Sequence, residues 1–129
     1  MASELRVNTL KDAAGNNSIA TSMVSNGTAR AWINFNCAAG NITDSFAFSS
    51  IADQAVGRFN CTMSTALANA TYTIASDSNY VSGANNSISV RDDQLTRTTT
   101  TYQVYSSQSN QGVSTDSTSM MNQICGDLA

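Results

Sequence analysis

Between Ala29 and Cys37 the side chains alternate in kind: Ala31, Ile33, Phe35 and Cys37 fall on one face of an extended chain, and Arg30, Trp32, Asn34 and Asn36 on the other. Such a segment is a half-buried strand. Ala38, Ala39, Gly40 and Asn41 interrupt the pattern, and Ile42 to Ser50 resumes it, with Ile42, Asp44, Phe46 and Phe48 expected on one side. A four-residue interruption containing Gly-Asn predicts a hairpin connection. Thr28 to Ser50 therefore reads as the first antiparallel pair of a sheet.

The rest of the chain supplies more short strands. Phe59, Cys61 and Met63 share a face within Gly57 to Met63, Tyr72 and Ile74 point inward within Ala70 to Ser76, and Ile88 and Val90 centre a strand at Ser87 to Arg91. Arg97 to Ser107 is the strongest β-former, and Ser117 to Leu128 closes the chain with a further alternating segment. Ile51 to Val56 reads as a loop, as do Asp77 to Asn86 and Gln108 to Asp116. Short strands separated by turn signals, without helical periodicity between them, predict an all-β fold, an antiparallel β-sandwich over residues 28–129.

Residues 1–27 read differently. Leu5, Val7, Leu10 and Ile19 flank the turn signal Asp-Ala-Ala-Gly-Asn-Asn, Ser18 to Val24 is strand-like, and Ser25 to Thr28 is a second turn. A two-stranded element this short has no core of its own and is marginal alone. It is expected to be a short extended β arm that packs on something else: the sandwich, sister copies or a larger assembly.

Composition narrows the partners. Only 12% of the 129 residues are charged, against roughly 25% in ordinary globular chains; Ser, Thr and Asn take their place. Six basic residues against nine acidic ones leave no footprint for nucleic acid or an anionic membrane. The opening MASELRVNTLKDAAG has no apolar run of signal-peptide length, and no segment reaches the ~18 apolar residues of a membrane span. A protein made in a cytoplasm, without membrane insertion, is expected.

Catalytic and metal-binding signals are thin. The chain has no His and no nucleophile elbow, so the common acyl-transfer machinery is missing, and no cofactor is expected. Asp92-Asp93 is the nearest pair of carboxylates, but adjacent strand residues point to opposite faces, and in a turn both are solvated. Asp77 to Gly83 imitates the start of a calcium loop and lacks its closing Glu. Cys37, Cys61 and Cys125 are odd in number, lack C-x-x-C spacing and are expected to be buried fillers. Trp32 stands out, because an outward Trp on a half-buried strand is an interface anchor or a stacking platform for a sugar ring. The interface role is preferred, since ligand contacts come more often from loops.

The runs ARAWINFN-x(5)-ITDSFAFSSIAD, GRFNCTM, TYTI and ICGDLA, taken in order, resemble the small trimeric β-sandwich domains at the tips of phage tail fibres. The opening SELRVNTLKDAAGNNSIATS is similar to the short β segments that attach or intertwine the three chains there. Cys37 stands where the family pattern has Gly, and Cys125 where it has Phe. The resemblance implies a non-enzymatic virion protein made in the host cytoplasm. It further implies a homotrimer that binds other virion proteins through its arm, with Leu5, Val7, Leu10, Ile19 and Trp32 as trimer or attachment residues. Outer loops would meet a host-surface glycan or protein, and exposure alone selects Tyr80, Asn85, Asn86, Gln108 and Asn110 as candidate contacts. A capsid decoration protein, with the arm as its working surface, and a glycan-degrading tail enzyme are the alternatives.

Overall fold

The computed structural model describes residues 6–15, 18–79, 86–91, 97–108, 114–127 and 129. A short hairpin comes first, pairing β1 (Thr9–Lys11) with β2 (Ser18–Ala20), with Leu10 opposite Ile19. Gly15 at φ 72° and its N–H donated to the Asp12 carbonyl at 3.0 Å close the predicted turn. A two-turn helix, α1 (Thr21–Gly27), follows directly. The Thr21 hydroxyl ties its start to the segment before β1 by donating to the Val7 carbonyl at 3.0 Å. Ser18 to Val24 is thus not one strand, and Ser25 to Gly27 is helical and not a turn. An isolated seven-residue helix shows little periodicity, so no sequence window long enough to reveal it exists.

Among the described residues, eight strands then build an antiparallel β-sandwich. They are β3 (Ala31–Asn36), β4 (Asn41–Phe46), β5 (Phe48–Ala55), β6 (Arg58–Met63), β7 (Thr73–Ser78), β8 (Asn86–Arg91), β9 (Thr101–Gln108) and β10 (Met120–Cys125). One sheet has the order β4-β3-β10-β7 and the other β5-β6-β9-β8. The alternating side chains of β3 face inward as read, with Ile33 and Phe35 fully buried. They meet Phe59 and Cys61 of β6, Tyr102 and Val104 of β9 and Met120 and Ile124 of β10 in a core shared by both sheets. Phe35 and Phe59 pack with ring centroids 5.6 Å apart and tilted planes, the arrangement aromatic quadrupoles favour.

Two expectations fail at β4 and β5 for a single local reason each. Asn34 pairs with Asp44 but Phe35 pairs with Ile42, so Thr43 is an extra residue in β4. That bulge inverts the alternation beyond it: Ile42 stays against the core, whereas Asp44 and Phe46 turn outward and are exposed. Ala47 then takes φ 60°, an uncommon conformation for a residue with a Cβ, and carries the chain from one sheet to the other. Ile42 to Ser50 is therefore two strands in two sheets. Ile51 to Val56, expected as a loop, is mostly strand, since β5 runs to Ala55 paired with β6.

The registers define two poles. Ala31, Phe46, Phe48, Met63, Thr101 and Cys125 end their strands at the pole where the arm enters. There the Arg30 N–H donates to the Ile124 carbonyl at 2.8 Å and its Nε to the Gly126 carbonyl at 3.2 Å. Asn36, Asn41, Ala55, Arg58, Ser78, Asn86, Gln108 and Met120 end at the opposite pole. The connections there are laced together: Cys37 N–H donates to Ser117 O at 3.0 Å, Gly57 N–H to Asp116 Oδ1 at 2.6 Å, and the Ser117 hydroxyl to Asn79 Oδ1 at 2.9 Å.

Cys37 and Cys61 are buried fillers as expected, while Cys125 is half-buried on the outer side of β10. Cys37 opens the β3–β4 turn yet keeps its side chain in the core, its Sγ 3.4 Å from Met120 Sδ. Burial pushes both buried thiols up from 9.0 to about 12, and the Tyr102 hydroxyl beside Cys61 is likewise raised. The folded chain holds these groups neutral where the unfolded chain ionises them. Their contribution is therefore complete below pH 9 and declines as pH rises from 9.0 toward about 12. Urea midpoints measured from pH 8 to 11 are expected to be flat to about pH 9 and to fall steadily above it; Cys61→Val should make that fall shallower.

Candidate interaction surface

The bulge at Thr43 makes the outer face of the β4-β3-β10-β7 sheet what it is. Two cross-strand rows run side by side over it. The first is Asp44, Asn34, Met121 and Asp77; the second is Phe46, Trp32, Gln123 and Ala75. Trp32 is 39% exposed, Phe46 57% and Met121 46%, so three large apolar side chains stand together in solvent. A shallow depression of about 440 Å³ lies among Trp32, Asn34, Asp44, Asp77, Met121 and Gln123. A second, of about 420 Å³, is lined by Thr28, Ala29, Arg30, Phe46, Ala47 and Thr65, where the arm meets the sandwich. Phe46 borders the second depression and pairs with Trp32, which lines the first.

Sequence reasoning found Trp32 on this face and missed its neighbours. Both phases of β10 carry apolar residues, so its alternation alone did not place Met121 outward, and nothing in the order of residues announces the bulge that exposes Phe46. Asp44 and Asp77 share a row with two strands between them, about 14 Å at the ordinary strand spacing. The paired carboxylates of glycoside hydrolysis stand roughly 5 to 9.5 Å apart, so this pair does not form one. Among the described residues no three His, Cys, Asp or Glu side chains gather in a group able to hold a metal ion. No helix among them is long and apolar enough to cross a membrane.

The arm presents a second apolar surface. Leu10 and Ile19 sit side by side across the β1–β2 hairpin and are 45% and 42% exposed; Val7, Met23 and Val24 are also exposed. Leu5 lies outside the described residues.

Of the loop residues expected to make contacts, Tyr80, Asn85 and Asn110 lie outside the described residues. Asn86 and Gln108 are not loop residues: they are the first residue of β8 and the last of β9, and they pair directly. They are 22 positions apart in the sequence; the pairing of β8 with β9 brings them together at the pole opposite the arm root. Asn79, where the described part of the β7–β8 connection ends, sits at the same pole through its bonds to Ser117 and Ser119. Ser119 Oγ in turn donates to Asn34 Oδ1 at 3.0 Å, joining this pole to the edge of the Trp32 face. No family model, curated protein or solved structure matches this chain.

Proposed function

We propose that this protein is a non-enzymatic component of a phage virion, a homotrimeric β-sandwich at the tip of a tail fibre, which meets the host surface through loops. The observation that carries this reading is polarity: the arm enters at one pole, and Asn79 with the paired strand ends Asn86 and Gln108 lies at the other. A module attached at one end and probing with the other needs that arrangement. The order of the ARAWINFN, ITDSFAFSSIAD and ICGDLA runs, similar to fibre-tip domains, supplies the virion context. A surface rich in Ser, Thr and Asn and poor in charge offers hydrogen bonds to polar ligands at low desolvation cost, and three copies multiply weak contacts by avidity. A host-surface glycan or protein is the ligand class this suits.

The purified chain is expected to bind intact host cells and to slow adsorption of the parent phage. Failure of both, with the assembled state verified, would overturn the reading. A capsid decoration protein is the second reading, favoured by the exposed apolar residues Val7, Leu10 and Ile19 of the arm, which could pin neighbouring capsomers.

A further inference from the structure

We infer that the depression beside Trp32 is a binding site for an amino sugar, a saccharide ring that carries a free ammonium group. This goes beyond the virion reading and does not rest on it: the site lies on a sheet face and not on the loops, and its test needs neither host nor particle. It gives Trp32 the platform role and not the interface role. Size sets the class of occupant. A depression of about 440 Å³ lined by ten residues falls in the ~300 to 1,000 Å³ range of small-ligand sites. A stable protein interface uses about 20 to 30 residues a side. Ala75, which pairs with Gln123, has no side chain beyond its Cβ, so the floor is low there.

Charge complementarity selects the ammonium. Asp44 and Asp77 line the depression and no lysine or arginine does, in a chain of net charge -3. Both carboxylates are exposed, and each has one oxygen held by the next residue of its strand: Asp44 Oδ1 accepts from the Ser45 N–H at 2.9 Å, and Asp77 Oδ1 from the Ser78 N–H at 2.8 Å. The second oxygen of each is left to meet a cation. The indole face of Trp32, 39% exposed, attracts a cation and the apolar C–H side of a sugar ring alike. The amides select the hydroxyls. Asn34 Oδ1 accepts from Ser119 Oγ at 3.0 Å, which leaves Nδ2 to donate to a hydroxyl, and Gln123 stands exposed opposite Trp32. A lysine side chain or a quaternary ammonium would leave both amides idle, whereas an amino sugar uses ring, amides and carboxylates together. With the carboxylates about 14 Å apart, one ring meets one of them and a short oligomer reaches both.

Trp32 is the one tryptophan of the chain, so its fluorescence reports on the site directly. The full chain is titrated at pH 6 in about 0.15 M salt with four probes: the β-1,4-linked tetramers of glucosamine, N-acetylglucosamine and glucose, and tetralysine. The glucosamine tetramer is expected to change the emission saturably. Each of the others, lacking either the charge or the ring, is expected to bind about tenfold more weakly, the loss of two part-exposed charge pairs. Asp44→Asn combined with Asp77→Asn keeps the shape of both side chains; with folding established by circular dichroism, it should lower the glucosamine tetramer to the level of the glucose tetramer. No emission change with the glucosamine tetramer at millimolar concentration overturns the inference. So does equal binding of the uncharged tetramers, an unaltered affinity in the double variant, or tighter binding of tetralysine, which would make the face a dock for a basic peptide. Light scattering and acrylamide quenching complete the test. A self-associated chain whose Trp32 is shielded from the quencher has this face in a joint between copies, and the inference falls while host binding through the loops stands.

Discussion

Replacing Phe59 by alanine is expected to cost about 3 to 5 kcal/mol of folding stability, the range for removing a fully buried aromatic side chain. Phe59 is 0% exposed, lies in β6 between β5 and β9, and packs its ring on Phe35 of the facing sheet. The loss combines the transfer of the ring to water with a cavity between two sheets whose hydrogen-bonded ladders cannot close over it. A domain of this size has a total stability of about 5 to 15 kcal/mol, so the variant should be marginal at room temperature. Urea unfolding at fixed chain concentration measures it, because any self-association makes stability depend on concentration. A midpoint shift under a quarter of that expected would mean that Phe59 is not at the centre of the core.

Gly57→Val is the second large effect, and its cause is the backbone. Gly57 holds φ 70° in the β5–β6 turn, a region β-branched residues avoid, and a Cβ built there would stand 2.3 Å from the Ser106 carbonyl oxygen and 2.9 Å from both Thr115 N and O. Those neighbours are main chain and cannot swing aside. They also belong to the lacing of that pole, since Gly57 O accepts from Ser106 N at 2.7 Å and Gly57 N donates to Asp116 Oδ1 at 2.6 Å. Strain and displaced packing together are expected to cost about 3 kcal/mol or more. Gly15→Ala separates the two causes: it has φ 72° and nothing within 4 Å of an added Cβ, so conformational strain alone acts and the loss should be about 1 to 2 kcal/mol at most.

The strands whose period was undisturbed were legible from residue order. β3 and β6 bury the faces their alternation assigns, because in a two-layer fold a side chain's phase decides which environment it meets. What was not legible depended on departures from that period. The extra Thr43 inverts β4, Ala47 cuts one apparent strand into two, and the two-turn α1 is too short to show periodicity. The candidate surface shares this history. Trp32 could be placed outward from its own strand, whereas Phe46 joins it only through the bulge, and the nearness of Asn86 to Gln108 exists only in the pairing of β8 with β9. Long-range pairing is fixed by the whole core, which no local window contains.

The position of this chain on an intact particle tests the central claim most directly. Phage particles labelled with an antibody raised against the folded chain, and imaged by electron microscopy, should carry the label at the free ends of the tail fibres. Label spread over the capsid shell, with the fibre ends bare, would contradict the account and transfer the working role from the loops to the arm.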